Sequence, residues 1–358
     1  MTRRGHLPRA PAPWLLVAAL AVASHAQHAA GQAPAAAGQA PAQAALFRSD
    51  SVLAVTLRAD LRSLFRDRDT ANAPWREATL TYAGPDSAVT VPLRLRTRGA
   101  FRLRECEMPP IRMRFNDRDA RGTPFEDLRR PKLITHCRDR TEYEQYLLHE
   151  YTIYRLYRLF TPVSFPARLL RVTYQDVANA VRPVTRYAFV TEDPERLAAR
   201  FSATILDSQG VRLGRLDRPL IQQLSIFQYL IANTDWGVPP LHNVVLLRTA
   251  DSVIHAVPYD FDWSGAIDAS YARPAAMLHT TSVRQRVYRG ICQLAAGMDP
   301  VLSRFEALRD SIAAVYRAVP DLDPRLIERT LRYYDEFYRE IADRQRFEQR
   351  VVAPGCGW

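Results

Sequence analysis

The order of elements along the chain predicts an α+β fold in two lobes, with a β-rich first half and a helix-rich second half. Three observations carry this expectation. Short runs of alternating apolar and polar residues recur up to about residue 193, and helical periodicity dominates from Ile221 onward. The chain has 358 residues, enough for two domains or one large two-lobed one at about 150 residues per domain. Apolar residues make up 47% and charged residues 24%, the balance of a globular chain, which excludes collagen-like, coiled-coil and wholly disordered classes.

Residues 1–26 have the layout of a secretory signal peptide. Arg3, Arg4 and Arg9 precede an apolar stretch from Trp14 to Ala23, and Ser24-His25-Ala26 places small residues at a cleavage site. The protein is therefore expected to be exported, to a periplasmic or extracellular location. No cysteine directly follows that site to take a lipid anchor. No run of about 18 apolar residues occurs, so no membrane span is expected once the signal is removed. Residues 27–45 are rich in Ala, Gln, Gly and Pro and are expected to be a disordered spacer.

The folded part is expected from Leu46, with a β-rich lobe over 46–193 and a helical lobe over 194–358. Val52–Leu57, Ala78–Tyr82, Val89–Arg98, Ile111–Phe115 and Lys132–Thr135 have strand patterns; Val91, Leu93 and Leu95 alternate with charged neighbours such as Arg94 and Arg96. Glu142–Phe160 is the clearest helix, because Tyr143, Leu147, Glu150, Tyr154 and Tyr157 recur at spacings of three and four. Glu150 is a carboxylate inside that apolar stripe, so a cationic partner is expected for it. Strands Arg168–Tyr174 and Arg186–Val190 follow and end at Thr191-Glu192-Asp193-Pro194, near which the seam between lobes is placed. Beyond it, Ile221–Asn233 predicts an apolar helix, Val244–Leu247 and Val253–Val257 short strands, and Pro300–Val319 and Pro324–Arg350 amphipathic helices.

Four cysteines remain after the signal, and in an exported chain an even number points to disulfides. Proximity along the chain favours Cys106–Cys137 and Cys292–Cys356. No C-x-x-C spacing supports a zinc site.

The densest chemistry lies between residues 233 and 262: Asn233-Thr234-Asp235-Trp236, His242-Asn243, and Pro258-Tyr259-Asp260-Phe261-Asp262. Any one of these is ordinarily a turn former or cap. Together, a strand hairpin opened by Asn243 and closed by Asp260 brings two hard oxygen ligands side by side for Mg²⁺, with Asp235 placed to deprotonate a hydroxyl. The net charge is +11, and one lysine, Lys132, stands among 49 Lys and Arg residues. A compact ammonium in a core strand, where arginine fills nearly every other basic position, suggests a phosphate-binding lysine paired with Glu150.

These segments resemble the atypical kinases of the spore-coat-protein-H (CotH) family, and more distantly the protein-kinase fold. Arg98-Gly99, Lys132-Leu133, the helix of Glu150, Tyr187–Glu192, Asp235, His242-Asn243 and Pro258–Asp262 carry the resemblance, over roughly residues 90–265. It implies a two-lobed kinase-like fold and an ATP and Mg²⁺ or Mn²⁺ site. Asp235 would be the base, and Asn243 and Asp260 the metal ligands, with Asp262 auxiliary. Lys132 and Glu150 would form the phosphate-binding pair. Arg98 and Arg102 would lie near the phosphates, and Thr191–Asp193, with Glu192, would hold adenine through backbone groups. The family's Arg-Gly-Asn-Ser-Ser loop is here Arg98-Gly99-Ala100-Phe101, which lacks two polar contacts.

The expected partners are a nucleotide and a hydroxyl acceptor, a protein side chain or a small molecule. Nucleic acid is not expected, because aromatic residues are sparse among the arginines. Two alternatives stay open: a non-catalytic exported binding protein on the same scaffold, and a metal-dependent phosphohydrolase using Asp235, Asp260 and Asp262. Neither a Walker A string nor Gly-x-Ser-x-Gly occurs.

Overall fold

The computed structural model describes residues 42–69, 72–291 and 298–356. The signal-peptide segment and Cys292 lie outside the described residues. Seven strands, β1 (Leu53–Ala59), β2 (Arg76–Ala83), β3 (Ala88–Thr97), β4 (Ile111–Phe115), β5 (Lys132–Thr135), β6 (Ala167–Asp176) and β7 (Val184–Thr191), close into a barrel in the order β1-β2-β3-β4-β5-β7-β6. Closure comes from β1 running parallel to β6, with Leu53 opposite Leu170 and Ala59 opposite Asp176. The period of two in each strand turns Leu57, Leu80, Leu95, Ile111, Met113, Leu133, Val172 and Val190 inward, and all are buried in one interior cluster.

Short helices α1 (Leu61–Arg66), α2 (Phe101–Glu105) and α3 (Asp117–Ala120) lie in the connections between barrel strands. The long helix α4 (Thr141–Phe160) packs outside the barrel against β6 and β7. Next come α5 (Pro194–Arg200), β8 (Thr204–Leu206), α6 (Arg218–Leu230), and the hairpin of β9 (Val244–Arg248) and β10 (Ile254–Pro258). Strands β10, β9 and β8 form a second, three-stranded sheet. Helices α7 (Asp299–Ala307), α8 (Arg309–Arg317) and α9 (Pro324–Ala342) complete the outer layer.

The expected two-lobed kinase-like fold, with a sheet lobe and a helical lobe, is corrected by this architecture: a closed barrel with helices packed around it. The physical reason lies in α4. Its residues are buried almost all round, from Leu147 and Leu148 to Phe160, because one side meets the barrel and the other meets α8. A single apolar cluster therefore runs from Phe189 and Tyr154 through Phe227 and Phe261 to Tyr334 and Phe337, drawing on both halves of the sequence. Alternation identified the strands correctly, but it carries no information on whether the first strand of a sheet meets its last.

Two long helices are also broken where one was expected. Leu308, at φ −92° and ψ 0°, separates α7 from α8. Asp343 ends α9 because its carboxylate accepts the Arg346 N–H at 3.0 Å, a local cap that competes with helix continuation. The Cys106–Cys137 disulfide is present and ties the end of α2 to the end of β5. No helix among the described residues is long and apolar enough to cross a membrane. That disulfide and this absence are compatible with an exported protein.

Candidate functional site

The loop after α6 and the β9–β10 hairpin meet as the spacing implied. Val244 pairs with Pro258, and the Tyr259 N–H donates to the Asn243 carbonyl at 3.0 Å, so Asn243 and Asp260 flank the base of the hairpin. Both adopt left-handed backbone, with φ of 52° and 63°, as does Ala232 at 49° where α6 gives way to the loop. Asn and Asp tolerate this region better than most residues, and such strain gathers where surrounding contacts enforce it. Gly265 supplies the close approach that joins the two loops. Its N–H donates to the Ala232 carbonyl at 3.0 Å, and an added Cβ would lie 2.4 Å from the Val283 carbonyl oxygen.

Asp235 is the centre of a hydrogen-bonded group. Its Oδ1 lies 2.7 Å from His242 Nε2, its Oδ2 accepts from Asn243 Nδ2 at 2.9 Å, and its N–H donates to Asn233 Oδ1 at 3.0 Å. Asn243 Nδ2 also donates to the Asp235 carbonyl at 2.8 Å. The amide end of Asn243 is thus spent on Asp235, which leaves its carbonyl oxygen for a ligand. Asp260 is fixed through its own N–H, which donates to the Tyr154 hydroxyl at 2.9 Å.

Behind this group lie three acids, Asp260, Asp262 and Glu150. Burial pushes the Asp262 carboxyl up to about 7, and the neighbouring Asp260 adds to the push. Burial raises Glu150 as well, with Asp262 and Asp260 adding to it. One oxygen of each, Asp262 Oδ2 and Glu150 Oε1, is buried without a hydrogen-bond partner. Arg102 is the cation nearest to hand, 3.8 Å from Glu150, and its guanidinium donates to the Thr135 carbonyl. Burial works against its charge, but Tyr271, Asp262, Glu150 and Asp260 hold it above the ordinary arginine range.

The expected ion pair between Lys132 and Glu150 is corrected here. Among the described residues Lys132 enters no ion pair, and Arg102 stands beside the carboxylate instead. The disulfide holds the end of α2 on β5, and Phe101 packs edge-on against Trp263 at 5.1 Å, which carries Arg102 to the acids. Lys132 points from the outer face of the barrel to the Tyr259 ring, 4.0 Å from its centroid. Burial, then the nearby Arg98, lowers its ammonium to about 7, with Asp260 opposing. Arg98 is half-buried near the same group. The Glu192 side chain belongs to a different structure: it is wholly buried and gripped by Arg200 at 2.6 Å, so it is not available to a ligand.

Arg289 escaped sequence reasoning altogether. It donates to the carbonyls of Thr234 and Trp236 at 2.6 Å each, bracing the loop on both sides of Asp235. In a chain where arginine is everywhere, no local signal marks it. The Tyr154 hydroxyl was equally hidden, since its ring fits the apolar stripe of α4.

No group of three or more His, Cys, Asp and Glu among the described residues forms a ready metal cage. The residues are nevertheless of types that could hold a divalent cation. Asn243 Oδ1, Asp260 and Asp262 offer hard oxygens, and the unpartnered Asp262 Oδ2 beside a second carboxylate is the environment a cation relieves. Compared with known proteins, the chain matches no family model, and no curated protein matches it.

Proposed function

We propose that this site is a phosphotransferase centre of the kind the CotH resemblance implies, housed in a different architecture. It would bind a nucleoside triphosphate such as ATP with Mg²⁺ or Mn²⁺ and pass the γ-phosphoryl to a hydroxyl. The observation that carries the proposal is the hydrogen-bonded Asp235–His242–Asn243 group set against the half-buried Asp260 and the buried Asp262 with its unpartnered oxygen.

Phosphoryl transfer asks for positioning, charge neutralisation and a base. Asp235 accepts the acceptor's hydroxyl proton, held in place by His242 and Asn243. The acceptor oxygen bonds to the γ-phosphorus as the bond to the β–γ bridging oxygen breaks, and a nucleoside diphosphate leaves. Lys132 and Arg98 face the phosphates and offset the charge that develops on the leaving group. Asn243, Asp260 and Asp262 would hold the divalent ion, which when bound neutralises phosphate oxygens. Arg102, beside Glu150, offsets the charge that the buried acids Glu150 and Asp262 carry when ionised.

The test is the melting temperature of the purified protein with and without ATP and either metal, beside Asp260→Ala. Ligand at about 100 times its dissociation constant adds ~2.7 kcal/mol of stability. A metal-dependent rise that the variant loses is expected; no rise with any nucleotide, in folded protein, overturns the proposal. The separation of Lys132 from Glu150 favours one rival, a non-catalytic binding protein, and that result would select it.

A further inference from the structure

The outer face of the barrel at β3, β4 and β5 carries a row of cations that enter no ion pair among the described residues. Arg96 is the register partner of Arg112, and Arg112 of Lys132. Trp75 precedes Arg76, which sits opposite Leu95, so Trp75 ends the same transverse row. Directly opposed residues share a face and strands lie about 4.8 Å apart, so the row spans roughly 14 Å. Leu95, Ile111 and Leu133 point into the barrel, which turns the row outward.

The guanidinium carbons of Arg96 and Arg114 stand 4.7 and 5.8 Å from the Trp75 ring centroid. Neighbouring Arg94, Arg129 and Arg130 are paired with Glu77, Asp117 and Glu195 at 2.7, 3.8 and 3.8 Å. Arg96, Arg112 and Arg114 enter no ion pair among the described residues. Burial lowers the proton affinity of Arg112, and Arg98 and Arg96 press it further, with Glu195 opposing. The row borders an open groove of about 760 Å³, where Trp75, Arg96 and Arg114 stand among five carboxylates, those of Glu77, Asp117, Asp119, Asp193 and Glu195.

A phosphoryl-transfer centre needs a cation or two on the donor phosphates besides its metal. Lys132 and Arg98 supply these, so the two unpaired guanidiniums that line the groove, Arg96 and Arg114, exceed the donor's needs. The mixed lining selects among anions. Carboxylates accept hydrogen bonds from hydroxyls, which a saccharide offers on every sugar and a DNA strand does not. Guanidiniums pair with carboxylate or phosphate, and an indole face suits the apolar side of a ring.

We propose that this groove binds an anionic saccharide, a hydroxyl-rich chain bearing carboxylate or phosphate groups, as the acceptor of the phosphoryl group. Its role as acceptor rests on the phosphotransferase proposal; its binding does not.

The test is calorimetric titration, without nucleotide or metal, of oligogalacturonate and of a phosphomannan oligosaccharide, the carboxylate and phosphate arms. A neutral maltooligosaccharide and a single-stranded oligonucleotide serve as comparators. At least one anionic saccharide binds the wild type more tightly than both comparators. The double variant Arg96→Gln, Arg114→Gln weakens that binding about tenfold or more, the scale of charge-assisted hydrogen bonds lost. Binding of neither saccharide, undiminished binding to the double variant, or tighter binding of the oligonucleotide overturns the proposal. Because no nucleotide enters the titration, its outcome is independent of the ATP melting experiment.

Discussion

On the hairpin side of the site, Asp235, His242 and Asn243 find their partners within a few residues of chain, whereas on the barrel side the charged groups come from separate elements and leave polar atoms unanswered. The first side is fixed by short hydrogen bonds and by left-handed backbone at Asn243 and Asp260. The second is held by burial and one disulfide, with Arg102 near three acids and Lys132 against an aromatic ring. The difference separates two jobs. Under the phosphotransferase proposal, a base and metal ligands need fixed geometry, while groups that receive a charged ligand stay electrostatically incomplete until it arrives.

The largest expected effect breaks the first side alone. Asp235→Asn should lower phosphoryl transfer by about 10²–10⁴-fold, the usual worth of a positioned base, while ATP binding by titration stays near wild type. Equal loss of binding and transfer would remove Asp235 from the role of base.

The next prediction sets the two barrel-side cations against each other. Arg102→Met strands Glu150 and Asp262 and should cost about 3–5 kcal/mol in urea unfolding, as breaking a buried pair does. Lys132→Met should leave stability nearly unchanged, because burial already opposes its charge, yet it should weaken ATP binding. The reverse order would show that Lys132, not Arg102, balances the acids.

A pH series sharpens the contrast further. The folded protein holds the Asp262 proton up to about pH 7, whereas an unfolded aspartate releases it near 4. Between those values the native state binds the extra proton, so metal-free stability from this group falls as pH rises through about 7. Asp262→Asn should flatten that fall in melting temperature; an unchanged profile would exclude Asp262 as its source.

The smallest expected effect is that of Tyr154→Phe. It removes the acceptor of the part-buried Asp260 N–H, a loss of about 1 kcal/mol. Its distinguishing readout is weaker metal dependence of ATP binding, which a purely structural loss would leave intact.

Much of the hairpin side was legible because it is local. An Asp, an Asn and an Asp separated by a short hairpin must come near one another, whatever the rest of the chain does. The Cys106–Cys137 pairing was legible for the same reason, proximity along the sequence. The barrel side was not, because its partners are distant: nothing local tells that Arg102 rather than Lys132 reaches Glu150, or that Arg289 braces the Asp235 loop.

By itself the sequence determined the strands, the long helix and the hairpin, since periodicities of two and 3.6 residues follow from backbone geometry. It also determined that a buried Glu150 demands a cation. Tertiary structure alone decided which cation answers, and whether the sheet stays open or closes. Both depend on contacts between distant segments: β1 meeting β6 seals the barrel, and the disulfide sets α2 on β5, so that packing rather than pattern decides where each charge comes to rest.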